Sequence, residues 1–368
     1  MADNKEGGAK KSGVKEGGVE TISRFTRRAM IFIGLASLVA ILLYFAAQLL
    51  DVLLLVFAGV LVAVSIDGAV RLCQCYLPLS RQWALSLALA LIGLLSFGLW
   101  ALVGPRMAEQ IPQLLQQLPQ AFQQLLALMR DLPGIETALN EVEEPAQLLG
   151  QPLIDRFTGF FSTTFGAIAS FFLILLIGFY LVLSPAKYVS NMVMLCPPAH
   201  RERMQQVLCM QGRALRLWLL SRLVSMAFVG LCIGIGLAFL GVPMAGALGL
   251  IAGLFTFIPY LGPIIGAIPT VLIALLESPE LALYAVVLYF VVETLESNLV
   301  MPLAAKGMVR LPPAYTVVVQ LAGAAVAGVA GVILSTPLAV VAVVAVQALY
   351  INDVLGDEIE VLGGRKEE

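Results

Sequence analysis

Eight apolar stretches with few or no charges follow one another along this chain, at 29 to 50, 52 to 66, 83 to 104, 160 to 183, 217 to 240, 245 to 276, 281 to 300 and 315 to 350. A run of about 20 apolar residues can cross the hydrocarbon core of a bilayer as a helix, because a helix satisfies its own backbone polar groups. Composition agrees. Of 368 residues, 60% are hydrophobic and 12% charged, where an ordinary globular domain carries roughly a quarter charged. The pattern predicts an all-α, polytopic membrane protein. Its first partner is the lipid bilayer, and nothing in the sequence calls for nucleic acid.

Orientation follows from where Lys and Arg fall in the short connections. Residues 1 to 28 carry Lys5, Lys10, Lys11, Lys15, Arg24, Arg27 and Arg28 and read as a disordered, basic cytoplasmic tail. The following run is too long for a signal peptide, and a second run follows Asp51, so a retained hairpin of spans is expected. Arg71 and Arg81 mark a return to the cytoplasm. Residues 105 to 158 hold three Arg against seven acidic residues, which places them outside. Arg201, Arg203, Arg213 and Arg216 make 184 to 216 a basic cytoplasmic loop, and 351 to 368 a cytoplasmic tail. The expected location is a bacterial inner membrane, crossed several times, with both termini cytoplasmic. His200 lies in that basic loop and reads as a solvated residue, while Cys73, Cys75, Cys196, Cys209 and Cys232 lack the partners of a metal site.

The polar insertion repeats apolar residues three and four apart with Gln between, as in Ile-Pro-Gln-Leu-Leu-Gln-Gln-Leu-Pro, and so predicts an amphipathic helical insertion. Pro112, Pro119, Pro133, Pro145 and Pro152 are expected to cut it into short pieces. It reads equally as a cap or oligomer contact over a transport path and as an arm on the membrane surface.

Two segments within the transmembrane domain, 29 to 350, break the simple pattern. Residues 245 to 276 exceed one straight span and contain Pro259, Gly262, Pro263, Gly266 and Pro269; residues 315 to 350 contain Gly323, Gly328, Gly331 and Pro337. Irregular backbone at membrane depth is tolerated where it faces protein or a wet cavity, so such a pair points to a transport site. The alternatives are re-entrant hairpins or kinked spans, and spacings such as Gly249 to Gly253 or Gly262 to Gly266 also suit helix packing alone. Hairpins put Lys306 and Arg310 on the cytoplasmic side, in better accord with the charge rule.

The strongest polar feature is Glu293-Thr294-Leu295-Glu296-Ser297-Asn298, which places two carboxylates on one helical face near a span end. Carboxylates there are costly and mark a substrate or ion path, unless they pair at the interface with Lys306 or Arg310. Arg216 and Arg222 are read as snorkelling to the interface, Asp51 as a turn and Asp67 as a helix end. No Walker sequence, G-x-S-x-G or H-E-x-x-H occurs, which argues against an ATP-driven pump and the common hydrolases; no enzyme activity and no cofactor is called for.

The segment Phe257-Ile258-Pro259-Tyr260-Leu261-Gly262-Pro263-Ile264-Ile265-Gly266-Ala267-Ile268-Pro269 resembles the autoinducer-2 exporter family, the PerM-type permeases. Glu293 through Asn298 with Pro302, Gly307 and Leu311-Pro312-Pro313 resembles a second signature, and Gly328 to Gly331 with Pro337-Leu338 a third. The resemblance implies an exporter, driven by the proton-motive force or facilitated, with some members exchanging sodium or lithium for protons, and a homo-oligomer, a pentamer. The leading expectation is a secondary transporter exporting a small polar solute, with autoinducer-2 a candidate. Its rivals are a sodium (lithium)/proton antiporter and a non-transporting membrane scaffold. The residues assigned to the path are Glu293, Glu296, Asn298, Pro259, Tyr260, Gly262, Pro263, Gly266, Pro269, Pro302, Gly328, Gly331 and Pro337.

Overall fold

The computed structural model describes residues 49–130, 164–304 and 311–357. The chain divides into two units, Met1–Leu53 and Leu54–Glu368. Of the first only 49–53 is described, as the opening of a helix, and all other described residues belong to the second. The first apolar run up to residue 48, the tail 1 to 28, residues 131 to 163 with Pro133, Pro145 and Pro152, residues 358 to 368, and Lys306, Gly307 and Arg310 lie outside the described residues.

Every regular element among the described residues is helical. Helix α1 spans Leu49–Tyr76, α2 Arg81–Arg130, α3 Thr164–Leu183, α4 Pro185–Met194 and α5 Arg201–Leu240. Then come α6 Ala245–Phe255, α7 Leu261–Glu277, α8 Pro279–Leu295, a π turn at Glu296–Val300, α9 Met301–Ala304 and α10 Pro313–Ala345, which ends in a π turn over Val346–Leu355. By length and apolarity five helices can cross a bilayer, or six if α3 and α4, bent by 86°, count as one span. The expected count of about eight is therefore not confirmed. Leu94, Leu95, Phe97 and Leu102 on α2 stand fully outward, a surface that suits lipid and not water.

Both interrupted segments are helical hairpins. In a straight helix Gln320 and Thr336 would lie roughly 24 Å apart, yet the Gln320 amide donates to the Thr336 hydroxyl at 3.3 Å. The fold-back falls at Ala327 and Gly328, where the backbone leaves helical geometry and Gly328 takes φ 56° and ψ −137°. That conformation is essentially restricted to glycine. Gly323 and Gly331 close the two limbs, because a Cβ on either would strike the carbonyl of the other.

The first hairpin, α6 and α7, turns at 256–260. Pro259 and Pro263 cannot donate to a continuing helix, and Leu261 N donates to Pro259 O at 2.7 Å. This γ-turn centres on Tyr260 at φ 63° and ψ −47°, a strained geometry for a non-glycine residue. Gly262 is required there, since a Cβ would fall on the Phe255 carbonyl. The hairpin seats on α5 through Gly249 and Gly253 against Gly230 and Gly234, with no room for a side chain at Gly249. The glycine spacing thus serves close packing, and it does so within a hairpin.

Two expectations fail in the connecting segments. Helix α2 runs unbroken for 50 residues through Pro105, Pro112 and Pro119. Each Pro costs about 3 kcal/mol in a helix interior, but Met107, Leu114, Leu118 and Ala121 are buried, packed with Ala245, Leu272 and Ile273 of the first hairpin, and that face holds the helix together. Gln110 Oε1 accepts from Ala247 N at 3.0 Å and Gln124 Nε2 donates to Leu275 O at 3.0 Å. One glutamine serves a free amide at the start of α6, the other a carbonyl near the end of α7, groups a helix cannot satisfy alone. The segment 184 to 216, expected as a loop, is likewise helical from Pro185, apart from the turn before Arg201. Asp67 on α1 gathers Arg71 at 2.8 Å, Arg81 at 3.2 Å and Arg216 at 3.9 Å, so Arg216 pairs with Asp67.

Candidate functional site: a charged cavity at the hairpin tip

The tip of the first hairpin lines a cavity of about 720 Å³. Helix α5 contributes Trp218 and Arg222; the tip contributes Thr256, Pro259, Tyr260 and Pro263. Helix α8 and its π turn supply Glu293, Glu296 and Ser297, followed by Met301 and Pro302, and the second hairpin supplies Leu311, Pro312, Pro313, Thr316 and Thr336. Its volume is in the range of small-molecule sites.

The π turn has a local cause. Pro302 lacks an N–H and its ring opposes the carbonyl four residues back, and the chain widens so that Met301 N reaches Glu296 O. Such bulges recur at functional sites. Glu293 and Glu296, three residues apart on one face, both reach the cavity. Glu296 is buried and accepts from Ser225 Oγ at 2.5 Å and from Ser297 Oγ at 3.4 Å. Glu293 is half-buried, and its Oε1 has no partner among the described residues.

Arg222 is the residue that sequence reasoning misplaced. It does not snorkel: it is 7% exposed and lines the cavity. It faces the same cavity as Glu296, Tyr260 and Glu293, yet among the described residues it forms no ion pair within 4.0 Å, and its Nε is unpartnered. Arg222 stands one helical turn beyond Trp218, whose ring meets Phe257 edge-on at 5.5 Å. The sequence signal was available in the spacing Trp218, Arg222 and Ser225, one polar stripe in an apolar helix.

Of the residues assigned to the path, Glu293, Glu296, Pro259, Tyr260, Pro263 and Pro302 meet at this cavity. Gly262, Gly266, Pro269, Gly328, Gly331 and Pro337 do not line it. Gly262 shapes the tip, Gly266 packs on Ala252, Pro269 and Pro337 are buried within their helices, Gly331 closes the second hairpin and Gly328 turns it. Asn298 is exposed, and its amide donates to Thr294 O of its own turn at 2.9 Å. Gln320, which no sequence pattern marked, is fully buried and donates to Pro259 O at 2.9 Å as well as to Thr336, joining the two hairpins behind the cavity wall.

Two helical hairpins meeting at a charged cavity is a carrier architecture. The profile described as AI-2E family transporter matches residues 33–351. The chain belongs to the AI-2E transporter family. A relative from Bacillus subtilis (strain 168), named "Putative transport protein YueF", is 26% identical over 312 residues, 81% of this chain and 83% of that protein. YrrI of the same organism, named in the same way, is 31% identical over 159 residues, 43% of this chain and 45% of that protein. MT0215 of Mycobacterium tuberculosis (strain CDC 1551 / Oshkosh), again so named, is 34% identical over 130 residues, 35% of each chain. This AI-2E family transporter is thus a multi-pass membrane protein of the transporter and permease class.

Proposed function

We propose that this chain is a secondary carrier that moves a small polar solute through the cavity between α5, the first hairpin tip and the Glu293–Glu296 face. One observation carries the reading. Arg222 and Glu296 are both buried, and with Glu293 they surround a space large enough for a solute. Charges at membrane depth are costly and persist where they serve a path. The direction is export, and autoinducer-2 is the first solute to test. The protein sits in a bacterial inner membrane with both termini cytoplasmic, as a homo-oligomer, with the pentamer taken from the resemblance.

Efflux from vesicles containing the protein at matched expression tests the site. Glu296→Ala and Glu293→Ala are each expected to reduce transport by roughly tenfold or more, and full transport in both removes the cavity from the path. Cation/proton exchange is the second reading, favoured by the unpartnered Glu293 oxygen. It requires sodium or lithium gradients to drive proton movement in the same vesicles.

A further inference from the structure

We propose that the solute bound in this cavity is a small zwitterion of the amino-acid or dipeptide class, its anionic group held by Arg222 and its cationic group by Glu293. The inference rests on the carrier reading and specifies its substrate. Three charged side chains line the cavity among the described residues: Arg222, Glu293 and Glu296. They are not equivalent. Glu296 is satisfied within the protein by Ser225 and Ser297. Arg222 and Glu293 are the two left with unpartnered polar atoms.

These opposite charges share one space without touching, since no nitrogen–oxygen pair between them lies within 4.0 Å. Arg222 is buried and the Glu293 Oε1 atom is out of reach of water, and charged groups so placed demand partners. A lone cation would answer Glu293 and leave Arg222 unpaired; a lone anion would do the reverse and add to the negative charge of Glu296. A neutral solute would offer each only an uncharged hydrogen bond, about half the strength of a charge-assisted one. A molecule with a carboxylate at one end and an ammonium at the other answers both. The planar guanidinium suits a carboxylate in particular, through two parallel N–H bonds. Trp218 and the Pro259 and Pro263 rings leave apolar wall for the remainder of the solute.

The test uses the full chain in liposomes and a radiolabelled mixture of neutral amino acids with the dipeptide Ala-Ala, scored for saturable binding and uptake. Competition is measured with the same compounds amidated at the carboxylate or acetylated at the amine. Each change is expected to weaken competition by about tenfold or more. Arg222→Gln is expected to erase the penalty for amidation alone, and Glu293→Gln the penalty for acetylation alone. The derivative series on the unaltered protein stands even where a variant fails to fold. Equal competition by parent and derivatives overturns the inference. Carriage of a neutral polyol or of Na⁺ with no zwitterion also overturns it, while leaving the carrier reading intact. Saturable movement of none of the three solutes, nor of autoinducer-2, overturns both.

Discussion

The two hairpins share a fold-back geometry but differ in where they place their tips. The first turns inside the protein: Thr256, Ile258 and Pro259 are buried, and the tip forms a cavity wall. The second turns in the open, with Val326 68% and Val329 57% exposed, and reaches the cavity through Leu311, Pro312, Pro313, Thr316 and Thr336, away from its tip. Tyr260 is itself 47% exposed, but its strained backbone lies between the buried Pro259 and Gly262, whose contacts over-determine the turn. An exposed tip has no such support and relies on Gly328, which adopts the turn without a Cβ penalty. The first hairpin therefore walls the cavity with its tip, which the proposed function makes the site, and the second acts as a brace whose exposed free end is open to lipid or another subunit.

The largest effect should come from Gly262→Ala, which drives a Cβ into the Phe255 carbonyl within the buried turn. Backbone there cannot yield cheaply, and displacing the tip by even an ångström is expected to cost transport roughly a hundredfold, measured in vesicles. Gly328→Ala meets no neighbour and should cost only the backbone strain, about 1–3 kcal/mol, seen as a lower melting temperature in detergent. Equal losses of transport in the two variants would break the distinction between site and brace.

Gln320→Leu tests the link between the hairpins. It removes one of the two donors to the Pro259 carbonyl, which keeps Leu261 N, at a cost of about 0.5–1.5 kcal/mol, and amide hydrogen exchange should quicken at 256–262 before it does elsewhere. In a background lacking the native cysteines, Val326→Cys should react with maleimide about tenfold faster or more than Ile258→Cys, since local opening must precede reaction at the buried site. A protected Val326→Cys would show that lipid or a second copy covers this tip. The smallest effect belongs to Asn298→Ala. Its side chain bonds only its own helical turn, so transport should stay within about twofold, in contrast to Glu296→Ala.

The prolines teach a related lesson. Pro259 lies in the break between two helices and Pro263 in the first turn of the second, whereas at Pro105, Pro112 and Pro119 a single helix continues. A missing N–H is a local fact, but whether it ends a helix depends on what packs against that face. The Gln-rich stretch was legible as amphipathic. That Gln110 and Gln124 complete the hydrogen bonding of the first hairpin was not, because their partners lie more than a hundred residues away in sequence. The two carboxylates were legible because Glu inside an apolar run is costly wherever it lies. Arg222 was misread because a long cationic side chain within a few residues of a span end can either reach water or turn inward, and sequence position alone does not distinguish the two.

Membrane residence, helical class, the two interruptions and the Glu293–Glu296 pair were decided by the sequence, since each follows from the local cost of exposing or burying particular groups in lipid. The family signatures were equally legible along the chain. Tertiary structure alone decided that both interruptions fold back on themselves, that α2 stays whole, that Arg222 joins the carboxylates at the cavity and that Ser225 bonds Glu296. Those outcomes depend on contacts between segments far apart in the chain, where packing and charge pairing override local preference.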